Sequence, residues 1–448
     1  MLEKIALVSL GCAKNLVDSE NMLALLKQAN FEITNNPEQA EIIIINTCGF
    51  INSAKEESIN TILEMAQYKT EGNCFLLVVA GCLVQKYQKE LLEEIPEIDA
   101  FLGTSNFHEI VETVQDLLKK KGKVIKINKE LTANYYELPR LQTTPPHYAY
   151  IRIAEGCDNC CTFCVIPQLR GGYRSRTIEN IIQEARNLVA QGVKEIILIA
   201  QDTTQYGKDI YGEKALVKLL KELVKIPALR WIRLLYCYPN DFSEELIQLI
   251  KSEKKICKYL DIPLQHADDT ILRKMGRRIT RKEIEILVNK LKNEIPDIVL
   301  RSTFIVGFPG ETEENFNTLL NFLEKMQLDR VGAFTYSREE DTPAGKLPGQ
   351  ISEKIKEARL EKLMKLQYEI IRRKNQEYLN KEMIVQVDGP SEDDPNLWLC
   401  RSEGEAPEID PYILVHSCKN FQPGQLLLVR ISHIQDYDFI GEVVRELT

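Results

Sequence analysis

Cys157-Asp158-Asn159-Cys160-Cys161-Thr162-Phe163-Cys164 places four thiols within eight residues. Such density suits soft-metal chemistry, because thiols kept reduced in the cytosol bind iron or zinc as thiolates. Cys157, Cys161 and Cys164 have the spacing C-x3-C-x2-C. Three thiolates on one tight loop can hold three irons of a 4Fe-4S cluster and leave the fourth open to a ligand. Zinc is the competing reading, through Cys157 with Cys160 or Cys160 with Cys164. A structural zinc site needs a second pair, and no Cys-x-x-Cys or His-x3-His follows downstream. Cys160 then stands as a bystander between ligands.

A second group of thiols is dispersed. Cys12, Cys48 and Cys82 each adjoin a glycine and follow an apolar run: Ile5–Leu10, Glu41–Asn46 and Phe75–Ala80. With a fourth run at Ile98–Leu102 and helical spacing over Ser19–Gln28, Ser53–Tyr68 and Phe107–Lys120, the pattern predicts a parallel α/β sheet covered on both faces. Ligands of open α/β sheets bind outside the carboxyl ends of the strands. Three strand-end thiols therefore predict one shared metal site. The alternative, cysteine as a small buried hydrophobe, suits Cys74, Cys237, Cys257, Cys400 and Cys418 better.

The elements needed to position the first cluster follow a polar stretch that ends in Thr143-Thr144-Pro145-Pro146 and reads as a linker. Strand-like runs at Tyr148–Ala154, Glu195–Ala200, Trp231–Tyr236, Tyr259–Ile262, Ile298–Val306 and Val331–Tyr336 alternate with helical segments. Six such units predict a partial (β/α)6 barrel with the dense cysteine loop after its first strand. By analogy with complete barrels, function collects on such loops. Cofactor contacts are accordingly expected at Phe163 in the loop and at Gln201, Asp202, Gln265, Arg301, Thr303 and Gly307 at other strand ends. Polar groups there can also simply cap helices. Ile351–Asn380 predicts a long helix with Ile355, Ala358, Leu363, Leu366 and Ile370 on its packed side. Beyond it, five short strand-like runs predict a small antiparallel β-barrel. The expected domains are 1–125, a linker over 126–146, 147–380 and 381–448.

A chain of 448 residues is too long for one core, and 44% hydrophobic with 27% charged residues is a globular composition. Its first residues show no apolar signal core, and the purest apolar run is Ile42–Ile45, so a cytoplasmic protein without a membrane segment is expected. Residues 381–448 carry 5 Lys and Arg against 13 Asp and Glu, a net of −8 in a chain whose total is −9. That tail repels phosphate backbones and suits a basic protein partner.

These motifs resemble the radical S-adenosylmethionine (SAM) methylthiotransferases, across essentially the whole chain. Ser9-Leu10-Gly11-Cys12-Ala13-Lys14-Asn15-Leu16-Val17-Asp18-Ser19-Glu20 is similar to the branch that modifies a ribosomal protein, the RimO type, rather than the tRNA-modifying MiaB type. Ala406-Pro407-Glu408-Ile409-Asp410 points the same way, with Pro411 where a glycine is usual. Gly307-Phe308-Pro309-Gly310-Glu311-Thr312 and the arginine-rich run Arg170-Gly171 to Arg174-Ser175-Arg176 belong to the wider family.

The resemblance implies two 4Fe-4S clusters, one on Cys157, Cys161 and Cys164 and one on Cys12, Cys48 and Cys82, with SAM at the open iron of the first. It implies cleavage of SAM to a 5'-deoxyadenosyl radical, and a methylated sulfur delivered from the second cluster. The implied substrate is the β-carbon of an aspartate in small-subunit ribosomal protein twelve, and the tail domain is of the TRAM type, with Arg401, Glu408 and Asp410 as candidate substrate contacts. An electron donor such as flavodoxin or ferredoxin is expected. The alternatives are a tRNA methylthiotransferase, which the acidic tail disfavours, and an iron-sulfur electron-transfer protein, which four-cysteine ligation would suit better.

Overall fold

The computed structural model describes residues 3–119, 122–128 and 137–447. The chain forms two compact units, one of residues 1–143, 154–159 and 164–176, the other of residues 144–153, 160–163 and 177–448.

The first unit is built on a six-stranded parallel sheet. Its strands are β1 (Lys4–Ser9), β2 (Glu32–Thr34), β3 (Ile42–Thr47), β4 (Leu76–Gly81), β5 (Ala100–Leu102) and β6 (Val124–Lys126), in the order β2-β1-β3-β4-β5-β6. Helices α1 (Ala13–Gln28), α2 (Asn52–Glu71), α3 (Cys82–Glu94) and α4 (Ile110–Lys119) cover it. Ile42, Ile44 and Val78 enter one hydrophobic core and Ile43, Ile45, Leu77 and Val79 the other. Alternate residues of one strand thus feed two layers, which is why the central runs are apolar without interruption.

Two strands escaped the sequence pattern. β2 and β6 are three residues each and lie at the sheet edges, so they carry too little apolar signal. The sheet consequently reaches Lys126, past the expected boundary at 125, and residues 129–136 of the expected linker lie outside the described residues. Helix α1 also starts six residues earlier than expected. Its first turns bury Lys14, Asn15, Asp18, Ser19, Glu20 and Asn21, a polar stripe that masks the helical period.

After β7 (Tyr148–Arg152), the ribbon β8 (Ala154–Glu155) with β9 (Arg174–Ser175) and the short helix α5 (Ile166–Arg170) belong to the first unit. In the second unit, β7 pairs in parallel with β10 (Glu195–Ile199), which is followed by β11 (Trp231–Leu234), β12 (Ile256–Asp261), β13 (Val299–Val306) and β14 (Arg330–Thr335). The connections contain α6 (Ile178–Ala190), α7 (Lys208–Tyr211), α8 (Leu216–Leu223), α9 (Glu244–Ser252), α10 (Asp269–Lys274), α11 (Arg281–Glu294) and α12 (Glu313–Met326). All six expected strands are present.

Helix α13 (Glu353–Asn375) follows, with its buried stripe displaced from the expected one. Ile355 and Ala358 face solvent, while Lys356 and Arg359 are buried beside Leu363, Gln367 and Ile370. The reason is polar. Lys356 Nζ donates to the Tyr336 carbonyl at 2.8 Å and Arg359 Nη1 to Glu311 Oε1 at 2.9 Å, so these cations find partners inside.

The tail closes into a barrel of β15 (Glu382–Pro390), β16 (Leu397–Arg401), β17 (Ile413–His416), β18 (Leu426–Gln435) and β19 (Asp438–Leu447). Four of its pairings are antiparallel, and the β17–β19 seam is parallel. Among the described residues no helix is long and apolar enough to cross a membrane.

The loop from Arg401 to Asp410 docks onto all six strands of the parallel sheet in the same unit. Tyr148 of β7, Glu195 of β10, Arg233 of β11, Tyr259 of β12, Arg301 of β13 and Arg330 of β14 all bond or ion-pair with this ten-residue segment. Six strands can reach one short loop only if the sheet curls around it, which is the partial barrel expected from the sequence.

Candidate metal centres

Each of Cys12, Cys48 and Cys82 sits where a strand of the first sheet gives way to a helix. Cys12 is the residue before α1, Cys82 opens α3, and Cys48 lies between β3 and α2. Helix N-termini present free N–H groups and a positive dipole end, which favour thiolate and an anionic cluster. The three loops are closely apposed. A Cβ on Gly11 would lie 2.8 Å from Cys48 Cβ, and one on Gly49 would lie 2.9 Å from the Cys82 carbonyl. The structure therefore brings these predicted ligands together, with glycine where a side chain would hold the loops apart.

Hydrogen bonds fix the same loops. Ser58 Oγ accepts from the Cys48 N–H at 3.1 Å and donates to its carbonyl at 3.0 Å. Thr47 Oγ1 donates to the Ala80 carbonyl at 2.6 Å. Asn15 Nδ2 donates to the carbonyls of Leu10 and Thr47, at 3.0 and 2.9 Å, and Asn46 Nδ2 returns to the Asn15 carbonyl at 2.9 Å. A buried guanidinium completes the surroundings, since Arg170 donates to Asn15 Oδ1 at 2.6 Å, Glu155 Oε2 at 3.0 Å and Asp18 Oδ2 at 3.2 Å. The motif around Cys12 contained Asn15 and Asp18, and the arginine-rich run contained Arg170. No periodicity or spacing linked them, because 152 residues separate Asp18 from Arg170.

Burial pushes the Cys82 thiol up to about 12, Arg170 opposes it, and Cys12 and Cys48 add to the rise. Cys48 is raised chiefly by burial as well. Such thiols release protons when metal binds, so loading is coupled to deprotonation. Among the described residues no three His, Cys, Asp or Glu side chains are gathered as for a single metal ion. A four-iron cluster makes a different demand: each thiolate binds its own iron, so the sulfurs stand farther apart than around one ion. Three soft donors, glycines at the loop contacts and helix N-termini together fit the cluster.

The dense cysteine loop is also fixed locally. In the first unit, the Cys157 N–H donates to the Gly171 carbonyl at 3.1 Å, and Asp158 Oδ1 accepts from the Tyr173 N–H at 2.9 Å. Val165 and Leu169, flanking and within α5, pack with Cys82. The helix following Cys164 is thus one wall of the three-loop site. In the second unit, Cys161 Sγ accepts from Arg277 Nη1 at 3.8 Å, while that guanidinium stacks 4.1 Å from the Tyr238 ring and donates to the Pro263 carbonyl at 2.6 Å. Cys160 is exposed. Cys74, Cys237, Cys257 and Cys400 are buried, whereas Cys418 is exposed, contrary to its packing assignment.

The expected cofactor contacts divide. Asp202 is buried and accepts from the Thr204 N–H at 3.1 Å, the cap role that competed with cofactor binding. Gly307 makes a turn at φ +74°, and its N–H donates to Glu311 Oε2 at 2.8 Å. Phe163 lies edge-on to Phe308, with ring centroids 6.5 Å apart. Arg301 donates to Asp261 Oδ1 at 2.8 Å and to Thr303 Oγ1 at 3.4 Å. Gln201 and Gln265 are half-buried, and Gln265 adopts φ +73°.

Of the three expected substrate contacts, Arg401 and Asp410 are buried and Glu408 is exposed. Arg401 is fully buried between Glu195 and Asp388, at 2.9 and 2.6 Å, and cannot reach a docking protein. Asp410 accepts from Tyr259 at 2.7 Å, and Glu408 accepts from Tyr148 at 2.8 Å. These residues join the tail to the sheet. The tail's acidity has the same internal use in part: Asp388 and Glu405 pair with Arg401 and Arg330, Asp410 lies 3.7 Å from Arg301, and Glu403 accepts from the Lys258 N–H. A count of charges could not separate those acids from exposed ones.

Comparison with known proteins agrees with the fold and the motifs. Family models match at residues 4–103 (uncharacterized protein family UPF0004), 151–323 (radical SAM superfamily) and 381–444 (TRAM domain). The solved structure of TsrM from Kitasatospora setae, a radical SAM methyltransferase with tryptophan and a SAM analogue bound, has a TM-score of 0.57 at 17% identity, over 77% of this chain and 75% of that one. The cobalamin-dependent radical enzyme OxsB gives 0.52 at 14%, over 83% and 56%. At such identities the likeness is one of fold. Sequence relatives are much nearer: "Ribosomal protein uS12 methylthiotransferase RimO" of Acetivibrio thermocellus is 50% identical over 100% of this chain and 99% of its own length. The protein of that name from Desulfitobacterium hafniense is 50% identical over 99% of each chain. The chain belongs to the RimO family of radical SAM methylthiotransferases.

Proposed function

We propose that this enzyme methylthiolates the β-carbon of an aspartate in ribosomal protein uS12, using two 4Fe-4S clusters and SAM. The observation that carries the reading is the convergence of Cys12, Cys48 and Cys82 at three strand ends, in a chain that also matches the radical SAM superfamily and full-length RimO relatives. Cys157, Cys161 and Cys164 would hold the radical cluster and leave one iron open for SAM. When bound, these groups supply the radical that removes hydrogen from the substrate carbon and the methylthio group that replaces it.

The chain's own residues hold and orient. Ser58, Thr47 and Asn15 set the backbone of the three ligand loops, and Arg277 places a guanidinium on Cys161. Phe163, Gln201, Asp202, Gln265, Arg301, Thr303 and Gly307 are the proposed SAM contacts. The proposed domain limits are 1–126, 147–380 and 381–448, and a flavodoxin or ferredoxin is the proposed electron donor.

Mass spectrometry of ribosomal proteins and tRNA from cells with and without this chain tests the reading. A methylthio mass gain on a uS12 aspartate that depends on the chain is expected. A dependent gain on tRNA with unmodified uS12 overturns it.

A further inference from the structure

The guanidinium of Arg170 does more than close a salt bridge. It is 4% exposed and lies among Asn15, Asp18 and Glu155, and the Asn15 oxygen that it bonds is 3.9 Å from Cys82 Sγ. Two carboxylates, those of Asp18 and Glu155, hold the guanidinium in place beside the ligand loops. Loading a cluster on three thiolates adds negative charge to a buried place, which is costly unless cations and N–H donors are fixed there beforehand.

Asn15 shows how the guanidinium is held. Its Nδ2 is committed to two carbonyls, those of Leu10, two residues before Cys12, and Thr47, immediately before Cys48. Its Oδ1 must therefore face the other way, where it accepts from Arg170 and lies 3.9 Å from Cys82 Sγ. One amide thus ties two ligand loops to the guanidinium beside the third ligand. The packing of Val165 and Leu169 on Cys82 holds the short helix that carries Arg170 at its end.

We infer that Arg170, oriented by Asn15, is a positioning residue for the cluster on Cys12, Cys48 and Cys82, and that its guanidinium raises the reduction potential of the bound cluster. The inference rests on the two-cluster reading, and it concerns residues that ligate no iron. Removing the positive charge makes adding an electron harder, so the potential falls. A purely structural arginine would alter stability and leave the potential of any bound cluster where it was.

The test uses the full chain with Cys157, Cys161 and Cys164 replaced by alanine, which isolates the other site. Anaerobic reconstitution of this parent should give about four irons per chain; a parent without iron would refute the two-cluster reading itself. In that background Arg170→Met should lose at least about half of the iron or show a lower midpoint potential, and Arg170→Lys should recover part of the loss. Iron and potential both equal to the parent's in Arg170→Met overturn the inference. If the methionine variant does not fold, Asn15→Asp decides on the same two readings, since it turns a carboxylate oxygen toward the Leu10 and Thr47 carbonyls. A fall in either reading supports the inference, and no change in both overturns it.

Discussion

Arg401 Nη1 lies 2.9 Å from Glu195 Oε2, with both side chains fully buried. Glu195 also receives Arg233 Nε at 2.7 Å, and Arg401 also forks onto Asp388. The link spans 206 residues and bonds the tail barrel to the start of β10 in the parallel sheet. Arg401 is thus the central peg of a joint.

Breaking this joint should be costly. Arg401→Met leaves Glu195 and Asp388 buried with one partner fewer each, and removing one member of a buried pair costs about 3–5 kcal/mol. Chemical denaturation of the metal-free chain should show a destabilisation near the lower figure, because Arg233 and His147 remain as partial partners. A change below about 1 kcal/mol, the scale of an exposed pair, would contradict the structure.

The joint also sets a pH dependence. Burial alone would raise Glu195, but Arg401 and Arg233 outweigh it and hold the carboxyl below its usual range. Asp388 is likewise raised by burial and lowered further by His147 and Arg401. Carboxyls depressed in the folded state contribute stability above their unfolded pKa of about 4, and this is lost as pH falls through the folded values. The thermal midpoint of the metal-free chain should therefore drop as pH falls below about 4. Glu195→Gln should start lower at neutral pH and lose part of that slope.

Gly11 tests the apposition of the ligand loops. Alanine there would put its Cβ 2.8 Å from Cys48 Cβ at φ +88°, a left-handed conformation that costs an L-residue about 1–2 kcal/mol before the contact is counted. Gly11→Ala should reduce iron at the three-loop site while SAM cleavage at the other persists. Iron analysis and 5'-deoxyadenosine release together measure this, and full iron loading would show that the loops are not packed as described.

The two cysteine triplets should be separable. Wild-type chain reconstituted anaerobically should hold about eight irons, and alanine at either triplet about four. Alanine at Cys157, Cys161 and Cys164 should abolish cleavage of SAM, whereas Cys160→Ala should leave iron content and cleavage intact, consistent with its exposure. Loss of cleavage in Cys160→Ala would change the ligand assignment.

Much of this protein is determined locally and is legible in the sequence. The alternation of apolar runs with helical spacing specifies the parallel sheets, since a strand buried on both faces must be largely apolar, as Ile42–Ile45 of β3 and Leu76–Ala80 of β4 are. Six ligand candidates were recognisable because a cysteine beside a glycine at a strand end is a local pattern, and so is C-x3-C-x2-C. What only the tertiary structure decided is pairing across distance. Asn15 and Arg170 are 155 residues apart, and Glu195 and Arg401 are 206. In sequence each is an isolated polar residue in an element of ordinary composition. A buried charge is recognised by the partner that makes its burial tolerable, and that partner exists only after the chain has folded. For that reason the sequence alone does not show that Asp388, Glu405 and Asp410 pair with Arg401, Arg330 and Arg301.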